Sequence, residues 1–339
     1  AMPTMFTMNM ALGSLALAKQ GVLVTRLSAT EDAAMMDILC ADKTGTITQN
    51  KLFIEEVIPI NVNSNRDVLL YGALASQEAN HDPIDIAFLT AVKQEHISLD
   101  AFSQTQFMSF DPRTRMTEAT IQKSGETFSV VKGAFNVICS ACNLSDKETR
   151  ELFKDAEVLS AKGLRVIAVA KGEDRSKLDF VGLVGIADRI REDSRIFLNQ
   201  IGGLGVSVKM LTGDALPIAR NIAQQIGLGD KITCMSNLEK IEDQRKALDS
   251  TVEGSDVIAE VYPEDKFMIV KALQDRGHIV GMTGDGVNDA PALAQAEVGI
   301  AVKNATEIAK DSASAVLTIE GLRGIIGMIK ASRTIYQRI

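Results

Sequence analysis

The stretch Ile38-Leu39-Cys40-Ala41-Asp42-Lys43-Thr44-Gly45-Thr46-Ile47-Thr48 decides how this chain is read. A short apolar run stops abruptly at an acid, a base, threonines and a glycine. That pattern reads as a buried strand whose carboxyl end delivers Asp42 to a crevice, the edge of an open α/β sheet at which ligands bind. A carboxylate placed there can act as a nucleophile toward phosphorus and form an acyl phosphate. Gly45 lets the backbone turn tightly, so that neighbouring N–H groups point at phosphate oxygens. The plainer alternative is a strand end with a capping Asp and ordinary turn residues.

The 339 residues suffice for two domains with sizeable cores. The net charge of −8, without a basic run, argues against nucleic acid as a partner. Only 4% of residues are aromatic and Trp is absent, which removes the usual base-stacking platforms. Of the four cysteines, Cys139-x-x-Cys142 alone has redox or metal spacing. Without a second Cys or His pair nearby, the two read as ordinary thiols in a reduced, cytosolic setting. No signal peptide is evident.

Outward from Asp42, Gly21 to Arg26 holds a short strand-like run, Val22-Leu23-Val24-Thr25, and Ser28 with Glu31 makes a capping box for a helix to Met36. Helical patterns run over 66–77 and 84–93. Alternation with turns over 107–131 predicts a hairpin. An amphipathic helix covers 146–161, and 166–170 is a buried strand. From Phe180 strands and helices alternate: strands at 180–186, 206–211, 257–260, 279–283 and 298–301, helices at about 190–202, 215–226, 264–275 and 289–296. That order implies right-handed crossovers and a parallel sheet. The Asp42 strand has no parallel neighbour in the first half, so it belongs to this later sheet. The predicted fold is α/β, a Rossmann-like parallel-sheet domain (21–54 with 178–324) split by an inserted α+β domain (55–177) with an antiparallel sheet.

Three later strands end in groups that phosphoryl transfer needs. Thr212-Gly213-Asp214 supplies a hydroxyl and backbone N–H groups for phosphate oxygens. Lys266 opens a helix after Pro263-Glu264-Asp265 and can neutralise phosphoryl charge. Gly284-Asp285-Gly286-Val287-Asn288-Asp289 places two acids four apart, suited to Mg²⁺ held by carboxylate and water oxygens. Asp42 beside Asp285 and Asp289 would repel phosphate unless a metal and a cation offset the charge.

Taken together, Asp42-Lys43-Thr44-Gly45-Thr46-Ile47-Thr48 and these later motifs resemble the P-type ATPases, the ion-pumping branch of the haloacid dehalogenase superfamily. Many phosphatases of that superfamily carry a second acid two positions after the nucleophile. Here the residue is Thr44, so an aspartyl phosphate on Asp42 is expected to be long-lived. The resemblance implies ATP as substrate and Mg²⁺ as cofactor. Asp42, the Thr44 carbonyl and Asp285 would be its ligands, and Asp289 and Asn288 would complete the metal site or orient phosphate.

The same resemblance assigns the nucleotide to the insert. Phe110 would stack adenine, and Arg115, Lys132, Gly133, Arg165 and Asp85 would form the rest of the site. Asp188 and Arg191 match a hinge motif near ribose and phosphates. Phe135-Asn136 after Ala134, and Arg189-Ile190 after Asp188, depart from the family pattern. Residues 1–18 carry no charge, and Ala1-Met2-Pro3-Thr4 looks like the tail of the fourth membrane helix of the proton-pump branch; residues 1–20 would be its cytoplasmic end. Val261 to Lys266 also matches that branch, and 325–339 would lead to the fifth span. No T-G-E-S-like stretch is found, so the actuator domain and first membrane helices would lie upstream. The implied partners are ATP, a transported cation (most simply H⁺) and those absent domains, and the implied location is the cytoplasmic side of a cell membrane. Slow turnover of bound ATP is expected of these domains alone. The rivals are a pump for a divalent or other cation, a soluble phosphatase of the same superfamily, and a non-catalytic nucleotide-binding regulator.

Overall fold

A computed structural model describes residues 2–62, 64–142, 144–238 and 250–337, with backbone alone for 2–10, 237 and 238. Its strands are β1 (Val22–Val24), β2 (Ile38–Asp42), β3 (Thr48–Pro59), β4 (Ser103–Asp111), β5 (Met116–Lys123), β6 (Glu126–Ala134), β7 (Arg165–Asp174), β8 (Lys177–Ile190), β9 (Ser207–Leu211), β10 (Ile232–Cys234), β11 (Val257–Ala259), β12 (Val280–Gly284), β13 (Val298–Ala301) and β14 (Ala315–Leu317). The chain divides into two units, Ala1–Asn50 with Ile190–Ile339, and Lys51–Arg189.

The first unit is built on one sheet in the order β1-β14-β13-β12-β2-β9-β11-β10. β12, β2 and β9 pair in parallel at its centre, and only β1 runs antiparallel to its neighbour. All five residues of β2 are buried. Its side chains alternate: Leu39 and Ala41 enter one apolar layer with Met210 and Ile222, Ile38 and Cys40 the other with Ile258 and Met282. A strand covered on both faces must be apolar throughout, which is why Ile38–Ala41 carries no polar residue. Helices Ser194–Gly203, Leu216–Ile226, Pro263–Asp275 and Ala290–Gln295 supply the cover.

The helix before β2 is Ser28–Met35, but Leu27 stands at its N-cap and no side-chain cap forms. The predicted Ser28–Glu31 capping box is therefore not made. The backbone N–H groups of Ala29 and Thr30 already bond the carbonyls of Arg26 and Leu27, so the helix enters through a tight turn. The last helix, Arg323–Gln337, carries Arg333, which donates from Nε to the Ala34 carbonyl (3.2 Å) and from an Nη to the Leu204 carbonyl (2.6 Å). The uncharged N-terminal stretch forms a helix, Met2–Lys19, with Leu17 in the core and Leu12 and Leu15 exposed. Among the described residues no helix is long and apolar enough to cross a membrane.

The second unit holds a six-stranded sheet in the order β3-β8-β7-β6-β5-β4, with antiparallel pairing from β8 through to β4. Phe180–Ile186, which the sequence placed in the parallel sheet, lies inside β8 and pairs antiparallel with β7. The misplacement has a physical cause. β8 is covered on both faces, Phe180 and Leu183 against helix Asp146–Ala161, Val181 and Val184 against helices Asn65–Leu74 and Pro83–Gln94. Its unbroken apolar run is thus indistinguishable from that of a central parallel strand. The units meet at 50/51 and 189/190, whereas the sequence reading drew its borders at 54/55 and 177/178. Ser145 and Glu148 form a full capping box at helix Asp146–Ala161. The four cysteines are free thiols, and burial pushes Cys139 up to about 11 and Cys142 to about 12.

Candidate functional site

β2, β9 and β12 all end at one edge of the parallel sheet, and Asp42, Thr212 and Asp285 sit on or just beyond those ends. They open on a cleft of about 350 Å³ that Lys266, Asp289 and Thr44 also line. Thr44 and Gly45 leave the helical region there, Gly45 at φ +69°, so the chain doubles back beneath the cleft. A Cβ on Gly45 would stand 3.1 Å from Asp285 Oδ2, and the positive φ is what favours glycine at this position.

Asp42 is only 6% exposed. Its backbone N–H donates to the Thr283 hydroxyl at 3.0 Å, and the Thr46 hydroxyl meets the same oxygen at 3.1 Å. Lys266 Nζ lies 3.1 Å from Asp42 Oδ1 and 2.7 Å from Asp289 Oδ1. The other Asp289 oxygen accepts from the backbone N–H groups of Asp285 (3.0 Å) and Gly286 (2.9 Å), which pins the acidic loop. Asn50 Nδ2 donates to Asp285 Oδ2 at 3.0 Å. Lys43 pairs with Asp214 at 3.0 Å, and the Asp214 N–H donates to the Thr212 hydroxyl at 3.1 Å.

Burial pushes the Asp42 carboxyl up to about 7; Lys266 pulls against this and the Asp289 charge adds to it. Burial also works against the Lys266 charge, but Asp42 and Asp289 outweigh it and hold the ammonium above its ordinary value. Carboxylate oxygens of Asp42, Asp285 and Asp289 lie within 4.8 Å of one another. Three acids against one adjacent ammonium leave an excess of negative charge on hard oxygen donors, a set that fits Mg²⁺.

The cleft thus brings together Asp42, Thr44, Thr212, Gly213, Asp214, Lys266, Asp285, Asn288 and Asp289, the residues predicted for the two chemical roles. Asp214, read from the sequence within the phosphate-binding turn Thr212-Gly213-Asp214, here pairs with Lys43, the residue after Asp42. Thr283 and Asn50 were missed. A hydroxyl in an otherwise apolar strand end, Val280-Gly281-Met282-Thr283, was the available signal for the first.

The insert has its own cavity of about 380 Å³, lined by Phe110, Arg115, Lys132, Phe135, Phe153 and Arg165 among others. Lys132 does not present a free cation to it. The side chain is 2% exposed, and Nζ lies 2.6 Å from Asp85, 2.5 Å from the Ala75 carbonyl and 3.0 Å from the Thr117 hydroxyl, which uses all three donors. Burial draws its pKa below the ordinary value and Asp85 opposes the fall. Asp85 in turn accepts from the Gln77 N–H at 2.9 Å. The pair is therefore a fastened wall of the cavity, because a buried ammonium is tolerable only when paired. Gly133 serves strand packing: a Cβ there would lie 2.5 Å from the Arg115 carbonyl.

Asp188 accepts from the Lys51 N–H at 3.1 Å and does not line the cavity. Arg191, in the first unit, holds the Thr48 carbonyl (3.1 Å) and Glu320 (2.8 Å). Each of the two bonds stays within its own unit. Phe135 and Phe153 were missed as lining residues; their ring centroids are 6.1 Å apart with planes at 57°. The spacing of Phe153, Ala156, Glu157 and Ser160 along one helix was the signal.

Residues 36–297 match the family model of the haloacid dehalogenase-like hydrolases. The whole chain aligns at 42% identity with a protein of Methanocaldococcus jannaschii named a cation-transporting ATPase, spanning 43% of its length. It aligns at 36% identity with plasma membrane ATPases of Dunaliella bioculata and Dictyostelium discoideum, spanning 31% and 32% of them. The chain therefore covers less than half the length of these relatives. The fold superposes on the crystal structure of a zinc-transporting PIB-type ATPase with a TM-score of 0.71 at 25% identity, over 97% of this chain and 46% of that one. The acid-ended central strand, the loop of paired acids and the match over residues 36–297 lead to one assignment: the chain belongs to the haloacid dehalogenase-like hydrolase family, and within it resembles the P-type cation ATPases.

Proposed function

We propose that this chain is the catalytic portion of a cation-transporting P-type ATPase, in which Asp42 takes the γ-phosphoryl group of ATP. The observation that carries the reading is the cleft in which Asp42 meets Lys266 and the Asp285–Asp289 loop while Thr44 occupies the place of a second acid. The insert's cavity holds the nucleotide, with Phe110 against the base and Arg115 and Arg165 toward the phosphates.

An Asp42 oxygen forms a bond to the γ-phosphorus as the bond to the β,γ-bridging oxygen breaks, and that electron pair leaves with ADP. Lys266 neutralises the nucleophile and then the transferred group. The Thr212 hydroxyl and Gly213 N–H bind phosphoryl oxygens, and Asn288 orients them. Mg²⁺, held by Asp42, the Thr44 carbonyl and Asp285 with Asp289 behind them, would offset phosphate charge when bound. Thr44 cannot activate water as an acid would, so the aspartyl phosphate persists long enough to drive transport. The proton is the cation favoured by the resemblance of Ala1–Thr4 and Val261–Lys266 to the proton-pump branch; the zinc pump of the same fold makes a divalent cation the alternative. In the whole protein these domains would face the cytoplasm at a membrane.

The test is incubation with γ-labelled ATP and Mg²⁺. A hydroxylamine-labile label that Asp42→Asn abolishes is expected. Rapid turnover of small phosphate esters without protein-bound phosphate would overturn the reading in favour of a soluble phosphatase. Acidification or Zn²⁺ uptake by vesicles carrying the full-length protein would identify the ion.

A further inference from the structure

The pairing of β2 with β12 stops short of the nucleophile. Its register runs through Val280↔Ile38, Gly281↔Leu39 and Met282↔Cys40, while β12 continues beside β13 as far as Gly284↔Ala301. On the other side of β2 the pairing reaches Asp42↔Leu211. In a parallel pair the N–H groups that face one neighbour come from every second residue. The Ile38 N–H bonds the Ile279 carbonyl, so the Asp42 N–H also faces β12, and the next acceptor due to it is the carbonyl of Thr283. A side chain takes that place: the Asp42 N–H donates to the Thr283 hydroxyl at 3.0 Å. The Thr46 hydroxyl donates to the same oxygen at 3.1 Å. A hydroxyl oxygen has two lone pairs, and these two bonds use both. One atom of β12 therefore holds both ends of the turn from Asp42 to Thr46, at the point where backbone pairing gives out.

Thr46 and Thr283 are both fully buried, and neither lines the cleft. They are out of reach of a ligand. The neighbours of Thr283 on its own strand, Val280 and Met282, belong to an apolar layer. Valine at 283 would have nearly the shape of threonine but no acceptor, and the buried Asp42 N–H would be left unsatisfied. We infer that Thr283 is a positioning residue for phosphoryl transfer: its hydroxyl fixes the backbone of Asp42 and, through Thr46, the turn around Gly45, and so holds the carboxylate where transfer needs it. This rests on reading Asp42 as the nucleophile. The effect falls on the transfer step and not on binding, because Thr283 touches neither the cleft nor the cavity of the insert.

The experiment times the labelling of Asp42 by γ-labelled ATP and Mg²⁺ in a quenched-flow instrument, in the cold, with folding checked by circular dichroism. It compares the 339-residue chain with Thr283→Val, Thr283→Ser, Thr46→Val and Val280→Ala. Thr283→Val should slow labelling at saturating ATP by about a hundredfold, the scale of a small misplacement of a reacting group. Its ATP dissociation constant should stay within about twofold, the split expected when only the transfer step is affected. Thr283→Ser keeps the acceptor and should label within about threefold of the native rate. Val280→Ala removes buried methyl groups from the same strand, and should lower Tm without slowing labelling. Thr46→Val removes the second bond to the hydroxyl and should slow labelling about tenfold; it carries the test if Thr283→Val does not fold, and an unchanged rate in it then overturns the assignment. A native rate in folded Thr283→Val, or an equal loss in Val280→Ala, overturns the assignment and leaves Asp42 as the nucleophile. Absence of label on the native chain overturns the nucleophile and this assignment with it.

Discussion

Lys266 Nζ stands between two carboxylates, 3.1 Å from Asp42 and 2.7 Å from Asp289, so one cation joins the end of β2 to the loop after β12. Replacing it by Met removes that link and leaves two buried acids facing each other. Lys266→Met should lower the rate of Asp42 phosphorylation by about a hundredfold or more, the scale of a lost charge stabiliser. Lys266→Arg keeps the charge but not the compact ammonium, and should restore only part of the rate. Quenched-flow labelling with γ-labelled ATP measures both.

Asp42 titrates near 7 in the metal-free fold, against 3.8 for the unperturbed carboxyl. A raised folded pKa means that the ionised form is penalised by folding. Stability is then full below about 3.8 and declines as pH rises toward and through about 7. Asp42→Asn should accordingly raise the metal-free Tm by a few degrees at pH 8 and leave it nearly unchanged at pH 4. Scanning calorimetry across that range checks the sign. Added Mg²⁺ should stabilise the native chain at pH 8 and the variant much less.

Thr44 lines the same cleft as Asp42 without being able to act as an acid or base. Thr44→Asp would supply that function, and the half-life of the aspartyl phosphate should fall by about a hundredfold. Chase of a preformed label with unlabelled ATP gives the half-life. An unchanged value would mean that water is excluded from the cleft regardless of the residue at this position.

Lys132 and Asp85 are both about 2% exposed in the salt bridge. Removing one partner strands the other charge, so Lys132→Met should cost about 3–5 kcal/mol of stability in the insert. The double variant Lys132→Met with Asp85→Leu should recover most of it. If Lys132→Met instead weakens ATP binding with no fall in Tm, the ammonium meets phosphate and the pair is not structural.

What the sequence displays well is chemistry that sits in short runs. Asp42 with Gly45, and Asp285 with Asp289, are adjacent groups whose spacing states their purpose. The parallel sheet was also legible, because strand and helix alternate from residue 206 onward. Partners far apart in the chain were not. Thr283 reaches the Asp42 N–H across 241 positions, and no local pattern announces it. Lys132 reads as a cation of the nucleotide site until Asp85, 47 positions away, is seen to hold it. β8 was assigned to the wrong sheet because burial on both faces erases the alternation that would mark an antiparallel strand.

Arg333 has a mechanical meaning. Its guanidinium grips the tails of the two helices that run into β2 and β9, at Ala34 and Leu204. Those strands end at Asp42 and at Leu211, the residue before Thr212. One side chain of helix Arg323–Gln337 thus ties together the two helices that lead into the strands carrying the site's nucleophile and its neighbouring hydroxyl.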